Sequence, residues 1–158
     1  RLFIFGAGHI ALALCPLAAD LGFRVTVLDD RQELASEARF PRAAALVHSL
    51  DPEQWAALSV EGERTFCVVA TSGHSIDTEV VGALADRPLA YLGMIGSATK
   101  RRNMERELTG RGIQQERLDL VHTPVGLEIK AETPMEIAVS IAAELIQIRR
   151  GEGAPERE

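Results

Sequence analysis

Residues 1–28 follow the order strand, glycine turn, helix, strand, which few folds accommodate. Leu2 to Phe5 is a continuous apolar run of strand length, and Gly6-Ala7-Gly8 follows it directly. Apolar residues then recur at helical spacing as far as Gly22, and the β-branched run Arg24 to Leu28 comes next. Apolar strands joined by a helix are typically parallel and covered on both faces. This start therefore predicts a βαβ unit with a glycine-rich first turn.

The same alternation continues along the chain. Further strands are predicted at Ala44–Val47, Phe66–Ala70 and Leu89–Leu92, and helices at residues 74–85 and Ala98–Leu108. The final helix has the clearest start, with Thr133 as N-cap, Pro134 at the first helical position and Glu136 completing a capping box. We predict a single α/β domain over residues 1–150. Its sheet is doubly wound, mostly parallel and Rossmann-like, with helices on both faces.

Composition excludes several classes of protein. Hydrophobic residues make up 46% and charged residues 25%, as in ordinary soluble globular proteins, and the net charge of −6 argues against a nucleic-acid binder. No apolar run reaches the ~18 residues of a membrane span, and no signal peptide is apparent. Cys15 and Cys67 lie in apolar stretches, so we expect buried free thiols and a cytoplasmic protein.

The two ends of the chain give separate expectations. Arg1 is not an initiator methionine and a strand begins immediately after it, so we expect a further domain upstream. Residues 151–158 are polar and contain glycine and proline, so we expect a frayed tail. The apolar final helix and the weak third strand, which would lie at a sheet edge, favour a homodimer.

The glycine turn has the pattern G-x-G-x-x-A over residues 6–11. Gly6 suits the tight turn, Gly8 lets a phosphate approach the backbone, and the helix that follows offers N–H donors to an anion. Asp29 ends the second strand, where a carboxylate can hold a ribose diol, and the acidic pair with Asp30 favours a diol over a phosphorylated ribose. Arg31 weakens that preference. The alternative is a tight turn that binds nothing.

Polar residues also follow the other predicted strands, where ligands of open parallel sheets bind. His9 follows the first strand, His48 the third, and Thr71, His74 and Asp77 the fourth. No spacing typical of metal ligands accompanies them. We therefore expect capping or supporting hydrogen bonds rather than a metal site.

A basic turn opens the helix after the fifth strand. Gly96 precedes Ser97, which is a plausible N-cap. The first turn then holds three cations: Lys100, Arg101 and Arg102. Cations at this position oppose the helix dipole, so they indicate a bound anion or, alternatively, a surface paired with Glu105 and Glu107. If they bind an anion, neutralising them should raise the stability of the ligand-free protein.

Several segments together resemble the C-terminal Rossmann-type domain of the xanthine dehydrogenase accessory factor (XdhC/CoxI) family. They are Phe5–Ile10, Leu21–Arg31, Tyr91–Ser97 with Lys100-Arg101, and Pro124–Leu127 with Thr133–Ile141. Two positions depart from the family pattern: Ser72 stands where an arginine is usual, and Glu128-Ile-Lys-Ala131 replaces the commoner Asp-Ile-Gly-Ala. The change to Ser72 weakens any grip on an anion in that loop.

The resemblance implies an accessory factor that binds the molybdenum cofactor, as molybdopterin or its dinucleotide form, supports its sulfuration and delivers it. The implied partners are a molybdenum hydroxylase apoenzyme and a cofactor sulfurase. The alternatives are an NAD(H)-binding regulatory domain and an NAD-dependent oxidoreductase with His74 or His122 as acid/base, and the alternative cofactor is NAD(P). A binding chaperone is favoured, because the histidines have no accompanying nucleophile. The residues assigned to cofactor binding are Gly6, Gly8, His9, Ile10, Asp29, Asp30, Thr71, His74, Gly96, Ser97, Lys100 and Arg101.

Overall fold

The computed structural model describes residues 1–151, apart from the side chains of Ala56 and His74. The predicted tail lies outside the described residues beyond Gly151. Within residues 1–151, six parallel strands form one sheet in the order β3-β2-β1-β4-β5-β6. The strands are β1 (Leu2–Phe5), β2 (Val25–Leu28), β3 (Ala45–Val47), β4 (Gly62–Val69), β5 (Leu89–Met94) and β6 (Val121–His122). The helices are α1 (His9–Asp20), α2 (Pro52–Trp55), α3 (His74–Leu84), α4 (Ala98–Gly110), α5 (Gln115–Leu118) and α6 (Pro134–Arg150), with a 3₁₀ turn at Ala56–Leu58.

The strand order confirms the predicted doubly wound Rossmann-like sheet. The chain moves outward from β1 to β3 and returns to place β4 on the other side of β1. Phe5 therefore lies opposite Leu28 on one side and Val69 on the other. In such sheets the ligand crevice lies at this reversal, outside the carboxyl ends of the strands. The glycine turn after Phe5 sits at that point.

Hydrophobic packing covers both faces of the sheet, as the apolar strands predict. Leu2 and Ile4 face a core that includes α1 and α6, with Leu14 and Ile141 among its fully buried members. Residues on the opposite face of β1 pack against α2, α3 and α4, and the members of this second core include Phe3, Phe5, Trp55, Val81, Leu84, Met104 and Leu108. The two cores hold β1 rigidly at the centre of the sheet.

The element boundaries follow the sequence closely at some places and not at others. The capping box of α6 is present as predicted, with Glu136 N–H donating to Thr133 Oγ1 over 3.2 Å. β4 begins at Gly62 rather than Phe66, because Glu63 and Arg64 extend the strand while remaining exposed. The one-turn helices α2 and α5 and the two-residue β6 were not predicted, since elements this short show no periodicity.

Two other expectations concern the cysteines and the membrane. Cys15 and Cys67 are free and buried, as predicted. Burial raises the pKa of both thiols, and the increase is larger for Cys67 than for Cys15. No helix within residues 1–151 has the length and apolarity needed to cross a bilayer.

Candidate functional site

Gly6 is required by the fold itself. Its φ is +109°, and a Cβ atom there would lie 2.3 Å from the carbonyl oxygen of Ala70 at the end of β4. Its N–H donates to Leu28 O over 2.7 Å. Only glycine can therefore carry the chain between the ends of β2 and β4.

Gly8 differs, because no contact within the chain explains a glycine there. It is the N-cap of α1, with φ −78° and ψ −168°, a conformation open to any residue. Apart from its chain neighbours, no atom of the described residues lies within 4 Å of a Cβ atom at this position. The missing side chain leaves the N-terminus of α1 open to an external group. The unpaired N–H donors and positive end of the dipole found at a helix N-terminus suit an anion there. His9 is exposed at the first helical position, and Ile10 is half-buried against the core.

Asp29 is fully buried directly behind the turn, where its carboxylate accepts four hydrogen bonds. Oδ2 accepts from Ala7 N–H and from Arg31 Nη2, each over 2.8 Å, and Oδ1 accepts from Arg31 Nε over 2.8 Å and Arg31 N–H over 3.0 Å. Burial alone would raise the pKa of Asp29, but the hydrogen bonds from Arg31 and Ala7 outweigh it and lower the pKa to about 2. Asp29 is thus ionised and tied to the glycine turn, while Asp30 is exposed.

Arg39 is a second guanidinium at the turn, and sequence reasoning missed it. Its Nη2 donates to Ala7 O over 3.2 Å and its Nε to Leu34 O over 2.9 Å. Ala7 therefore donates a hydrogen bond from its N–H to Asp29, and its carbonyl oxygen accepts one from Arg39. The segment after β2 carries cations at 31, 39 and 42, which was the available signal, but the sequence does not say which of them folds back.

Thr71 and Lys100 meet through a second buried carboxylate, Asp77. Oδ1 of Asp77 accepts from Thr71 N–H over 3.0 Å and from the Thr71 hydroxyl over 2.6 Å. Oδ2 pairs with Lys100 Nζ, and Asp77 has no exposed surface. Gly96 gives room for the lysine stem, since a Cβ there would lie 2.5 Å from Lys100 Cδ. This pair joins the start of α3 to the start of α4.

The basic turn of α4 is held largely by contacts within the chain. Ser97 caps the helix by accepting from Lys100 N–H over 3.3 Å, as predicted. Arg101 pairs with Glu105 over 2.7 Å and donates to the carbonyl oxygens of Val121 and Thr123. Glu107 pairs instead with Arg111. Of the salt-bridged alternative, only the pair with Glu105 is present among the described residues, and anion binding by Lys100 and Arg101 stays a prediction.

His48 and His122 make supporting contacts with other parts of the chain. His48 Nε2 lies 2.8 Å from Ala35 O, and His122 Nδ1 lies 2.8 Å from Glu144 Oε1. The His74 side chain lies outside the described residues, so its predicted role is untested. Among described residues, no three His, Cys, Asp or Glu side chains form a group that could hold a metal ion.

Glu144 anchors a third buried cluster that sequence reasoning missed. Its Oε2 accepts from the Tyr91 hydroxyl and from Gly126 N–H over 2.7 Å. Burial alone would raise the pKa of Glu144, but hydrogen bonds from His122, Tyr91 and Gly126 outweigh it and lower the pKa. Burial and then the bond to Glu144 raise the pKa of Tyr91 far above its usual range. The signal was an acid on the apolar stripe of α6, beside Ile141 and Leu145.

The predicted site residues thus fall into two neighbouring groups at the carboxyl edge of the sheet. Gly6, Gly8 and Asp29 surround the first turn, and Thr71, Lys100 and their neighbours surround Asp77. Gly6 connects the groups, because its Cβ would lie 2.9 Å from Thr71 N. A parallel sheet in this order, with a glycine turn at its first crossover, defines a Rossmann domain, the class that binds dinucleotides and related nucleotides.

Within that class, the chain belongs to the XdhC Rossmann-domain family. The sequence model of this family matches residues 2–145, which confirms the resemblance that the motifs indicated.

Three relatives illustrate the match. The chain is 35% identical to the Escherichia coli K12 protein YqeB over 153 residues, covering 94% of this chain and 27% of that protein. It is 37% identical over 150 residues to a probable xanthine dehydrogenase subunit of Bacillus subtilis 168, covering 95% of this chain and 43% of the relative. A crystal structure described as a xanthine dehydrogenase from Bacillus halodurans superposes with a TM-score of 0.84 at 31% identity, covering 99% of this chain and 44% of that one. The chain therefore spans less than half the length of each.

Proposed function

We propose that this chain is the cofactor-binding part of an accessory factor that matures a molybdenum hydroxylase of the xanthine dehydrogenase type. It binds the molybdenum cofactor as cargo and delivers it to the apoenzyme, after sulfuration by a partner sulfurase. The observation that carries the proposal is the open N-terminus of α1 at Gly8, a cradle for a phosphate that the chain itself does not fill. Membership of the XdhC family supplies the biological setting.

The names of the relatives support the link to xanthine dehydrogenase. One relative is a probable subunit of that enzyme and the superposed crystal structure is described as one. The buried free thiols Cys15 and Cys67 suit the cytoplasm, where thiols stay reduced, and we propose that the transfer takes place there.

The electrostatics of the site favour a carrier over a catalyst. A general base works best with a pKa near the operating pH. Asp29 has a pKa of about 2, and the pKa of Glu144 is also lowered, so both are weak bases at neutral pH. Their hydrogen bonds hold the turn and the strand ends in place. Such an arrangement presents a rigid surface to a ligand, and neither carboxylate is suited to accept a proton.

The binding step can be tested with two glycine variants. Calorimetric titration of the wild-type chain with molybdopterin should give a saturable signal, and Gly8→Val should abolish it because the side chain fills the cradle. Gly110→Val is the matched control, since Gly110 is exposed and a Cβ there, as at Gly8, meets nothing within 4 Å among the described residues. Binding by Gly8→Val as tight as by wild type would show that the turn is only structural.

The delivery step needs a second measurement. The chain loaded with molybdopterin is mixed with a cofactor-free xanthine dehydrogenase, and xanthine oxidation is followed against an equal amount of free molybdopterin. Faster or more complete activation supports delivery. Binding of NAD⁺ or NADH with no binding of molybdopterin would instead favour an NAD(H)-responsive regulatory domain, the alternative that a Rossmann glycine turn supports.

A further inference from the structure

We propose that the glycine-turn site recognises a terminal phosphate monoester rather than a ribose diol, and that Arg31 and Arg39 hold it. The inference rests on the proposed function, because it presumes that the turn binds a phosphorylated ligand. It selects among such ligands: molybdopterin over its dinucleotide form, and NADP⁺ over NAD⁺.

The first argument is that Asp29 has no acceptor site left for a diol. An ionised carboxylate offers about four lone-pair positions. Asp29 accepts four hydrogen bonds, three from Arg31 and one from Ala7. A ribose diol brings two O–H donors, which would need acceptors here. It could bind Asp29 only by displacing Arg31.

The second argument is that the same place is rich in unused donors. A guanidinium carries five N–H bonds. Among the described residues, the side-chain contacts of Arg31 use only Nε and Nη2, and those of Arg39 likewise use Nε and Nη2. Three N–H bonds therefore remain on each group. A phosphate monoester is all acceptor, and planar guanidinium groups bind it in bidentate fashion.

The third argument concerns position. Asp29 joins Arg31 to the N–H of Ala7, and Arg39 donates to the carbonyl of the same residue. Ala7 directly precedes Gly8, the open N-cap of α1. Both guanidiniums therefore lie beside the point where the backbone can be approached. The Arg31 side chain is 37% exposed, so a ligand can reach it.

The charges around the site weaken the preference for a phosphate but do not reverse it. Arg31 neutralises Asp29, and Arg39 adds a positive charge. The hydrogen bond to Asp29 raises the pKa of Arg31, and the nearby charges of Asp30 and Glu33 raise it further. Both acids are exposed and oppose an incoming phosphate. Sequence alone favoured a diol here because it counted Asp29 as a free acid.

The test compares NADP⁺ with NAD⁺, which differ only by the ribose phosphate, by calorimetry at constant ionic strength. We expect the wild-type chain to bind NADP⁺ at least about tenfold more tightly, as charge-assisted hydrogen bonds predict. Arg31→Ala should lower the preference about tenfold, partly by weakening NADP⁺ binding and partly by freeing Asp29 for the diol of NAD⁺. Arg39→Ala should weaken NADP⁺ binding alone.

Controls separate recognition from folding. Arg42→Ala removes a nearby exposed arginine that pairs with Asp20, and it should leave the preference unchanged. Arg31→Lys keeps the charge and lacks the planar fork, so an intermediate preference is expected. Glu33→Gln should strengthen NADP⁺ binding. Thermal melts identify any variant that is unfolded.

The outcomes distinguish this inference from the proposed function. If NAD⁺ binds as tightly as NADP⁺, or if neither Arg31 variant nor Arg39→Ala changes the ratio, the inference is overturned while the turn remains a nucleotide site. The second arm compares molybdopterin with its dinucleotide form in the same variants, and a preference for the dinucleotide also overturns the inference. If the wild-type chain binds none of the four compounds, the proposed function and the inference both fail.

Discussion

The glycine turn and the start of α4 each contain an ion pair between a cation and a buried aspartate, but the two ion pairs have different roles. Arg31 pairs with Asp29 two positions away and keeps 37% of its side chain exposed. Lys100 pairs with Asp77 on another helix and keeps 21% exposed. The first pair leaves a guanidinium facing solvent with donors to offer, whereas the second ties α3 to α4. Whether a basic residue at the carboxyl edge of the sheet can bind a ligand is therefore known only once its partner within the chain is known.

Gly6→Ala should have the largest effect on stability, because Gly6 packs against Ala70 and Thr71, where the glycine turn meets the group around Asp77. The left-handed φ of +109° and the overlap with Ala70 O together should cost more than about 3 kcal/mol in the free energy of unfolding. Gly8→Ala is the matched comparison and should cost less than about 1 kcal/mol. Urea unfolding monitored by circular dichroism measures both. Equal losses would remove the distinction between a structural and a ligand-facing glycine.

Lys100→Ala should follow, with a loss of about 3 kcal/mol, because it leaves the buried Asp77 carboxylate without its cation. This sign is opposite to the expectation from the helix dipole alone, which treated Lys100 as unpaired. Adding Asp77→Asn should recover part of the loss, as a double-mutant cycle would measure. An increase in stability on Lys100→Ala alone would mean that the pair contributes nothing.

Tyr91→Phe tests whether the third carboxylate behaves like Asp77. Removing the hydroxyl deletes one of the bonds to buried Glu144 and should cost about 1.5 kcal/mol. The His122 and Gly126 bonds remain, so Glu144 stays partly satisfied. Chemical denaturation at neutral pH measures the change. No loss at all would indicate that Glu144 acts independently of Tyr91.

Arg31→Ala should cost less than Lys100→Ala, about 1 kcal/mol at pH 7, because the lost cation is more than a third exposed and Asp29 keeps its hydrogen bonds from the N–H groups of Ala7 and residue 31. Asp29 has a lowered pKa in the folded protein, so its contribution is present above the ordinary Asp range near pH 4 and is lost as pH falls towards about 2. The difference between wild type and Arg31→Ala should therefore shrink over that interval. A difference independent of pH would show that Asp29 is not its source.

The sequence predicted the fold well wherever apolar periodicity or capping chemistry is strong. β1 and the start of α6 lie where Leu2–Phe5 and Thr133-Pro134 indicated. The first four residues of β4 escaped prediction because their side chains are mostly polar and exposed, and only Gly62 among them is in register with β5, opposite Leu89.

The candidate site was predicted less completely, and for a physical reason. Glycines and the N-cap Ser97 act through local backbone geometry, which a short motif encodes. Arg39, Glu144 and the partner of Lys100 act through contacts between distant segments, which spacing along the chain does not encode. Charge counts at the start of α4 therefore left an anion site and a salt-bridged surface both open, and they did not indicate the pair between Lys100 and Asp77.

The central position of β1 has a consequence for how the chain is made. One edge of β1 pairs with β2, and the other pairs with residues 66–69 of β4. Roughly 60 residues separate β1 from its partner residues in β4, and a ribosome adding ~5–20 residues per second needs several seconds to synthesise them. During that interval the fully apolar run Leu2–Phe5 has an open edge and open faces. The order of synthesis therefore leaves this strand open to association with other chains until β4 has been made.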